Sequence, residues 1–145
     1  MNYLKDPQFL RQLIMDHYEY PRNKREELSY VRERVSTDSC IDDITVQALI
    51  KDDIIEDVAF VGTACTIATS SVSMMSELLK GKTLEEADNI ISNFNAMLKM
   101  KDFDEDVLGE LVALRNVSRQ PHRIHCADLS WRAMQLIISK ELDHE

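Results

Sequence analysis

The chain has 145 residues, 44% of them hydrophobic and 30% charged, with 26 acidic side chains against 17 basic ones and a formal net charge of −9. That length suits one domain, 1–145, large enough to bury a real core, and the acidic balance argues against a nucleic-acid partner, because phosphates call for a basic surface. No apolar run approaches the length that crosses a bilayer, and the opening MNYLKDPQF resembles neither a signal nor a transit peptide, so no membrane partner and a cytoplasmic location are expected.

Asp6-Pro7 opens the first helix, since Asp can cap and Pro suits the first helical position. Phe9, Leu10, Leu13, Ile14 and Tyr18 then recur at helical spacing, and Pro21 forces an end. A charged connector, Pro21 to Glu27, follows. The period then becomes alternating. Tyr30–Val35 is a charged, weak strand. Ile44, Val46, Ala48 and Ile50 alternate with Thr45, Gln47 and Leu49 in a better one. Lys51-Asp52-Asp53 is a short polar turn, and Ile54–Val61 returns as a third strand. Short turns favour an antiparallel meander. Such a sheet buries one face and needs helices to cover it.

Gly62 closes the third strand. Cys65, Ala68, Val72, Met75, Leu78 and Leu79 predict a helix from about Cys65 to Gly81. Its small residues, Ala68 to Ser71 and Ser73, would let it approach the sheet closely. Thr83-Leu84-Glu85-Glu86 is a capping box, starting a helix that reaches about Lys99. Val107, Leu108, Leu111, Val112 and Leu114 give a shorter helix, and Asn116 to Ile124 a connector. The last helix runs from about Cys126 to Lys140, with Leu129, Ala133, Leu136 and Ile137 as its apolar stripe. Trp131 is assigned to the core. The fold class is α+β: a three-stranded antiparallel sheet packed against about five helices.

The chemistry concentrates at three cysteines, Cys40, Cys65 and Cys126, separated by 25 and 61 residues. In a reducing compartment they read as free thiols or metal ligands rather than a disulfide framework. Soft thiolates with a carboxylate or imidazole suit zinc or iron-sulfur chemistry, and Asp42 and His125 stand beside them. The spacing is not that of a local zinc knuckle, so only the tertiary fold could gather them. In an extended segment Cys40 and Asp42, two apart, point the same way. Cys65 and Cys126 fall at predicted helix starts, where free amides and the dipole lower a thiol pKa. On the residues alone, packing roles for the thiols stay open. So do ligand, thiolate-pairing and surface roles for His125, and charge-stabilising or merely solvated roles for Arg123. His17 and His122 read as structural or surface residues. The chain has only three glycines and no glycine-rich phosphate loop, and it has no Cys-x-x-Cys pair. The acidic run Asp102 to Asp106 lacks the pattern of a calcium loop.

Four stretches carry a resemblance. Leu13-Ile14-Met15-Asp16-His17-Tyr18 with Pro21-Arg22-Asn23, Cys40-Ile41-Asp42, Gly62-Thr63-Ala64-Cys65-Thr66-Ile67-Ala68 and Arg123-Ile124-His125-Cys126-Ala127-Asp128-Leu129-Ser130-Trp131 resemble the iron-sulfur cluster assembly scaffold family of IscU and NifU N-terminal type. The long Cys65–Cys126 interval is most similar to its SufU-like, zinc-dependent sulfurtransferase branch. The Leu-Pro-Pro-Val-Lys chaperone motif of the scaffold branch is absent before Cys126. The resemblance implies zinc held by Cys40, Asp42, Cys65 and Cys126, and Cys40, with Arg123 nearby, as the acceptor of persulfide sulfur. The donor would be a pyridoxal-phosphate cysteine desulfurase of SufS type, and apo iron-sulfur proteins or downstream assembly factors would be the recipients. His125 corresponds to the histidine before the last cysteine of the scaffolds and becomes an alternate ligand. The rival readings are a scaffold that carries a transient 2Fe–2S cluster and an adaptor in which zinc is only structural. One departure stands out: Ile41 occupies the place of the family's glycine, and its β-branch disfavours positive φ.

Overall fold

The computed structural model describes residues 3–38 and 41–143. Helix α1 spans Pro7–Glu19, strands β1, β2 and β3 span Val31–Ser36, Asp43–Lys51 and Ile54–Thr63, and helices α2 and α3 span Thr66–Leu79 and Leu84–Leu98. A single turn, α4 (Glu105–Leu108), leads into a 3₁₀ segment, Gly109–Arg119, and helix α5 spans Pro121–Asp143. The sheet is an antiparallel meander in the order β1-β2-β3. The α+β expectation therefore holds. No helix among the described residues is long and apolar enough to cross a membrane.

Local chemistry sets the boundaries. The Asp6 side chain caps α1 by accepting from the Gln8 amide at 3.0 Å. Thr83 and Glu86 exchange both bonds of the capping box on α3. Asp52 and Asp53 both adopt positive φ, +53° and +60°, so the β2–β3 hairpin turns through two left-handed residues, which matches the strand twist. Ile44, Val46 and Ala48 point from β2 into the core, with Val58 and Phe60 from β3 and Trp131, Met134 and Ile137 from α5.

Three expectations need correction. The last helix starts at Pro121, not near Cys126, because Pro121 fits a first helical turn that lacks amide partners anyway. The apolar run after Val107 is not a plain α-helix. Gly109, at φ +51°, ends α4, and the tighter 3₁₀ path that follows buries Leu111, Val112, Leu114 and Val117. Leu136 is 48% exposed while Met134 and Ile138 are buried, so the stripe on α5 is rotated from the one expected.

Two further details bear on the site. The small residues of α2 serve its neighbouring helices: Ser70 Oγ donates to the Ile14 carbonyl, and Ser71 Oγ donates to the Ala127 carbonyl at 2.6 Å while accepting from Trp131 Nε1 at 3.0 Å. The cysteine helix is thus pinned to α1 and α5. His17 is structural, buried between Ser73 Oγ and Glu110 at 2.8 Å each. Ser73 Oγ also accepts from the Arg22 amide, so the same hydroxyl ties α2 to His17 and to the connector after α1.

Candidate metal centre

Asp42 immediately precedes β2, Cys65 follows β3, and Cys126 lies on α5. One ligand atom from each lies within 4.8 Å of the others. The meander makes this possible, because β2 and β3 pair from Asp43 opposite Thr63 onward, so the start of one strand meets the end of the other. Gly62 is necessary to that meeting. It sits at φ +126°, and a Cβ there would stand 2.0 Å from the Asp43 carbonyl oxygen.

Asp42 is 1% exposed. Its Oδ1 accepts from the Cys65 amide at 2.7 Å, and its Oδ2 lies 3.7 Å from Cys65 Sγ. Its own carbonyl accepts from the Thr37 amide at 3.1 Å. Cys65 caps α2, with Sγ accepting from the Ala68 amide at 3.4 Å. Cys126 Sγ lies 3.9 Å from the His122 carbonyl one turn back, an ordinary resting place for a helical thiol. Cys40 lies outside the described residues. Ile41 beside it is 67% exposed.

The thiols do not have the lowered pKa values that helix starts would give. Burial pushes Cys65 up, the Asp42 carboxylate adds to this, and the Ala68 amide opposes it only in part. Cys126 sits in the second turn of α5 and gets no such help. Burial pushes it up strongly, and hydrogen bonding to Asp42 and Cys65 and their negative charge push it further. Three acidic groups are crowded together, and no lysine or arginine among the described residues forms an ion pair with Asp42. The arrangement favours either protons or a cation. Tetrahedral zinc, with bonds near 2.0–2.3 Å, sets its ligand atoms about 3.5–4 Å apart. The 3.7 Å Cys65–Asp42 separation already meets that, and two sulfurs with one carboxylate oxygen are a donor set zinc accepts. The residues present fit the ion.

Two concavities open beside Cys126. One, about 280 Å³, is lined by Cys65, Thr66, Ile67, His122, Arg123 and Cys126. The other, about 480 Å³, includes Thr37, Asp38, His125, Arg132 and again His122 and Cys126. Arg123 is exposed at the mouth beside Cys65, whereas His125 is exposed on the other side. Sequence reasoning passed over Gly62 as more than a strand end.

The comparisons with known proteins decide the family. Residues 10–141 match the NifU-like N-terminal domain. The chain belongs to that family. It is 39% identical over 132 residues to the zinc-dependent sulfurtransferase SufU of Bacillus subtilis, covering 90% of both chains. It is 32% identical over 129 residues to the iron-sulfur cluster assembly scaffold protein IscU of Streptococcus pyogenes serotype M1, covering 88% of this chain and 81% of that one. The crystal structure of FiSufU from Fervidobacterium islandicum AW-1 superposes with a TM-score of 0.82 at 32% identity, over 86% of this chain and 93% of that chain.

Proposed function

We propose that this member of the NifU-like family is a zinc-bound sulfur acceptor in iron-sulfur cluster biogenesis. The observation that carries the reading is the convergence of Asp42, Cys65 and Cys126 within 4.8 Å, in a chain 39% identical to a relative named as a zinc-dependent sulfurtransferase. Cys40 would supply the fourth donor. It is two residues from Asp42, a reach of at most about 7 Å along the chain. Bound zinc would keep the thiols deprotonated at neutral pH, which the crowded, buried site by itself opposes.

The remaining chemistry belongs to this chain's residues. The Cys40 thiolate attacks the terminal sulfur of a persulfide on a pyridoxal-phosphate cysteine desulfurase. A sulfur–sulfur bond forms at Cys40, the donor's sulfur–sulfur bond breaks, and the donor cysteine leaves as thiolate. The reaction is an exchange between sulfur atoms with no external oxidant. Arg123, exposed beside Cys65 and Cys126, would offset negative charge on the incoming sulfur. Asp42 and the α2 amides hold Cys65 in place while this happens. Recipients would be apo iron-sulfur proteins or later assembly factors, in the cytoplasm, where thiols remain reduced.

The test is desulfurase turnover with wild type, Cys40→Ala and Asp42→Ala, with zinc measured on each. We expect roughly one zinc per chain by the closed four-ligand logic of such sites, a colourless protein, and stimulation that Cys40→Ala abolishes. Retained stimulation in Cys40→Ala would rule out this sulfur-acceptor role. A second reading, assembly of a 2Fe–2S cluster on the same residues, draws support from the 32% identity to a scaffold. A brown, oxygen-sensitive form that donates its cluster to an apo-protein would favour it. Loss of stability alone in Cys40→Ala would favour a purely structural zinc.

A further inference from the structure

The candidate metal centre occupies one end of the β2–β3 pair, and a second surface feature occupies the other. A concavity of about 550 Å³ opens between the β2–β3 turn, the start of α3 and the last turns of α5. Leu84 and Ile138 lie buried in it, while Ile54 and Leu142 remain 39% and 50% exposed. Ile138 and Leu142 are four residues apart on α5 and share a face. The backbone holds this frame together. The Leu84 amide donates to the Asp53 carbonyl at 2.9 Å, and the Ile55 amide to the Lys82 carbonyl at 2.8 Å. A frame formed in advance spares a ligand the cost of ordering it.

The charge of the concavity is one-sided. Asp52, Asp53, Glu85 and Asp88 line it, and no lysine or arginine does. The α3 capping box uses Glu86, so it accounts for neither acid that α3 contributes. None of the four forms an ion pair with a described residue. Such a rim repels the phosphates of nucleic acid and of anionic lipid. A second copy of this chain, itself at net charge −9, meets the same repulsion. The complementary occupant is cationic, and the exposed Ile54 and Leu142 require apolar side chains between its charges.

We propose that this concavity docks a segment of a partner protein in which leucine- or isoleucine-sized side chains alternate with lysine or arginine. The apolar side chains cover Ile54, Leu84, Ile138 and Leu142. The cations face the acidic rim, where they speed encounter and fix register more than they add affinity. Strand β2 runs from Asp43 to Lys51, which at about 3.4 Å per residue sets the two ends roughly 27 Å apart. A partner held here leaves the end with Asp42, Cys65 and Cys126 open, so two proteins can be bound at once. The docking does not depend on the acceptor role proposed above.

The experiment uses the full chain loaded with zinc and a fluorescent probe peptide of alternating leucine and lysine, read by anisotropy. One control peptide carries glutamate in place of lysine, and another carries serine in place of leucine. Amide NMR shifts locate the contact. We expect the probe to bind, and both controls to bind at least about tenfold more weakly, the scale of one lost anchor. Shifts should fall on Ile54, Leu84, Glu85 and Leu142 and spare Cys65 and Cys126. Leu142→Ser should weaken the probe by a similar factor with zinc content and melting midpoint unchanged. Asp53→Asn with Glu85→Gln should weaken it and flatten its salt dependence, since Asn keeps the left-handed turn position. Failure of the probe to bind overturns the proposal. So does equal binding of the serine control, full affinity in Leu142→Ser, or a contact mapped to the metal end. Self-association of the free chain that Leu142→Ser abolishes would assign the face to a second copy and overturn it as well.

Discussion

Two buried carboxylates mark opposite ends of the same pair of strands, and the chain treats them differently. Asp57 on β3 is 8% exposed. It accepts from Tyr30 Oη at 2.7 Å and from the Val58 amide at 3.0 Å, and it pairs with Arg25 and with Lys80. Burial alone would raise its pKa, but Tyr30, Arg25, Lys80 and the Val58 amide together hold it below the usual carboxylate range. Asp42 has the Cys65 amide and two thiols around it. One acid is neutralised by the protein's own cations. The other is surrounded by groups that become negative in turn. A buried charge needs a partner, and at Asp42 no cation of the described residues supplies one, so a bound metal ion would fit there. The missing cation at Asp42 is what makes Asp42, Cys65 and Cys126 a candidate metal site.

The largest expected effect comes from withdrawing that partner. Chelation should lower the stability of the zinc-loaded protein by about 4 kcal/mol at free zinc a thousandfold above Kd. Denaturant melts with and without chelator measure this, and equal midpoints would erase the contrast between the two acids. Gly62→Ala should come next. Its new Cβ would meet a backbone carbonyl 2.0 Å away, which no side-chain rotation relieves. A loss of about 3 kcal/mol is expected, together with weaker zinc binding, because the strand ends that carry Asp42 and Cys65 must separate.

The paired substitutions Asp57→Asn and Asp42→Asn then set the two acids directly against each other. Asp57→Asn should cost about 1–2 kcal/mol, less than a fully buried ion pair because Arg25 and Lys80 are partly solvated, and it should cost the same with or without zinc. Asp42→Asn keeps an acceptor for the Cys65 amide and removes charge from beside the thiols. In metal-free protein it should be neutral or stabilising, while zinc affinity falls about tenfold or more. Equal destabilisation by both variants in the absence of zinc would show that Asp42 is a structural acid like Asp57.

How much of this was legible in the sequence depends on whether a residue acts locally. The Asp6 cap, the Thr83–Glu86 capping box and the alternation of Ile44, Val46 and Ala48 are short-range signals, and each appears in the structure. The family likeness of the Cys40, Cys65 and Cys126 stretches was legible too. The thiol environments were not. The expected helix-start stabilisation failed at Cys65 because burial outweighs one amide, and at Cys126 because α5 begins a turn and a half earlier, at Pro121. Burial is a tertiary quantity. The structural role of Gly62 has the same origin, since the carbonyl it accommodates belongs to another strand.

The smallest effects are in the pH dependence, and the two ends of the molecule should give opposite limbs. A carboxylate whose folded pKa is depressed contributes stability above its unfolded value and loses it as pH falls through the folded value. Asp57 therefore adds to an acid limb beginning near the ordinary carboxylate value of 3.8 and extending below it, and Asp57→Asn should flatten that limb whether or not zinc is present. A thiol whose folded pKa is raised contributes stability below its unfolded value and loses it as pH rises. Cys65 and Cys126, both above the ordinary value of 9.0, should give metal-free protein an alkaline limb that starts near that value. Zinc reverses the second sign, because it binds the thiolate form and releases a proton for each thiol it engages. Loaded protein should lose its alkaline limb and become more sensitive to acid, as protons compete for the sulfurs. Melting curves across pH, with and without zinc, would read both limbs. An alkaline limb that zinc fails to abolish would mean that Cys65 and Cys126 are not metal ligands.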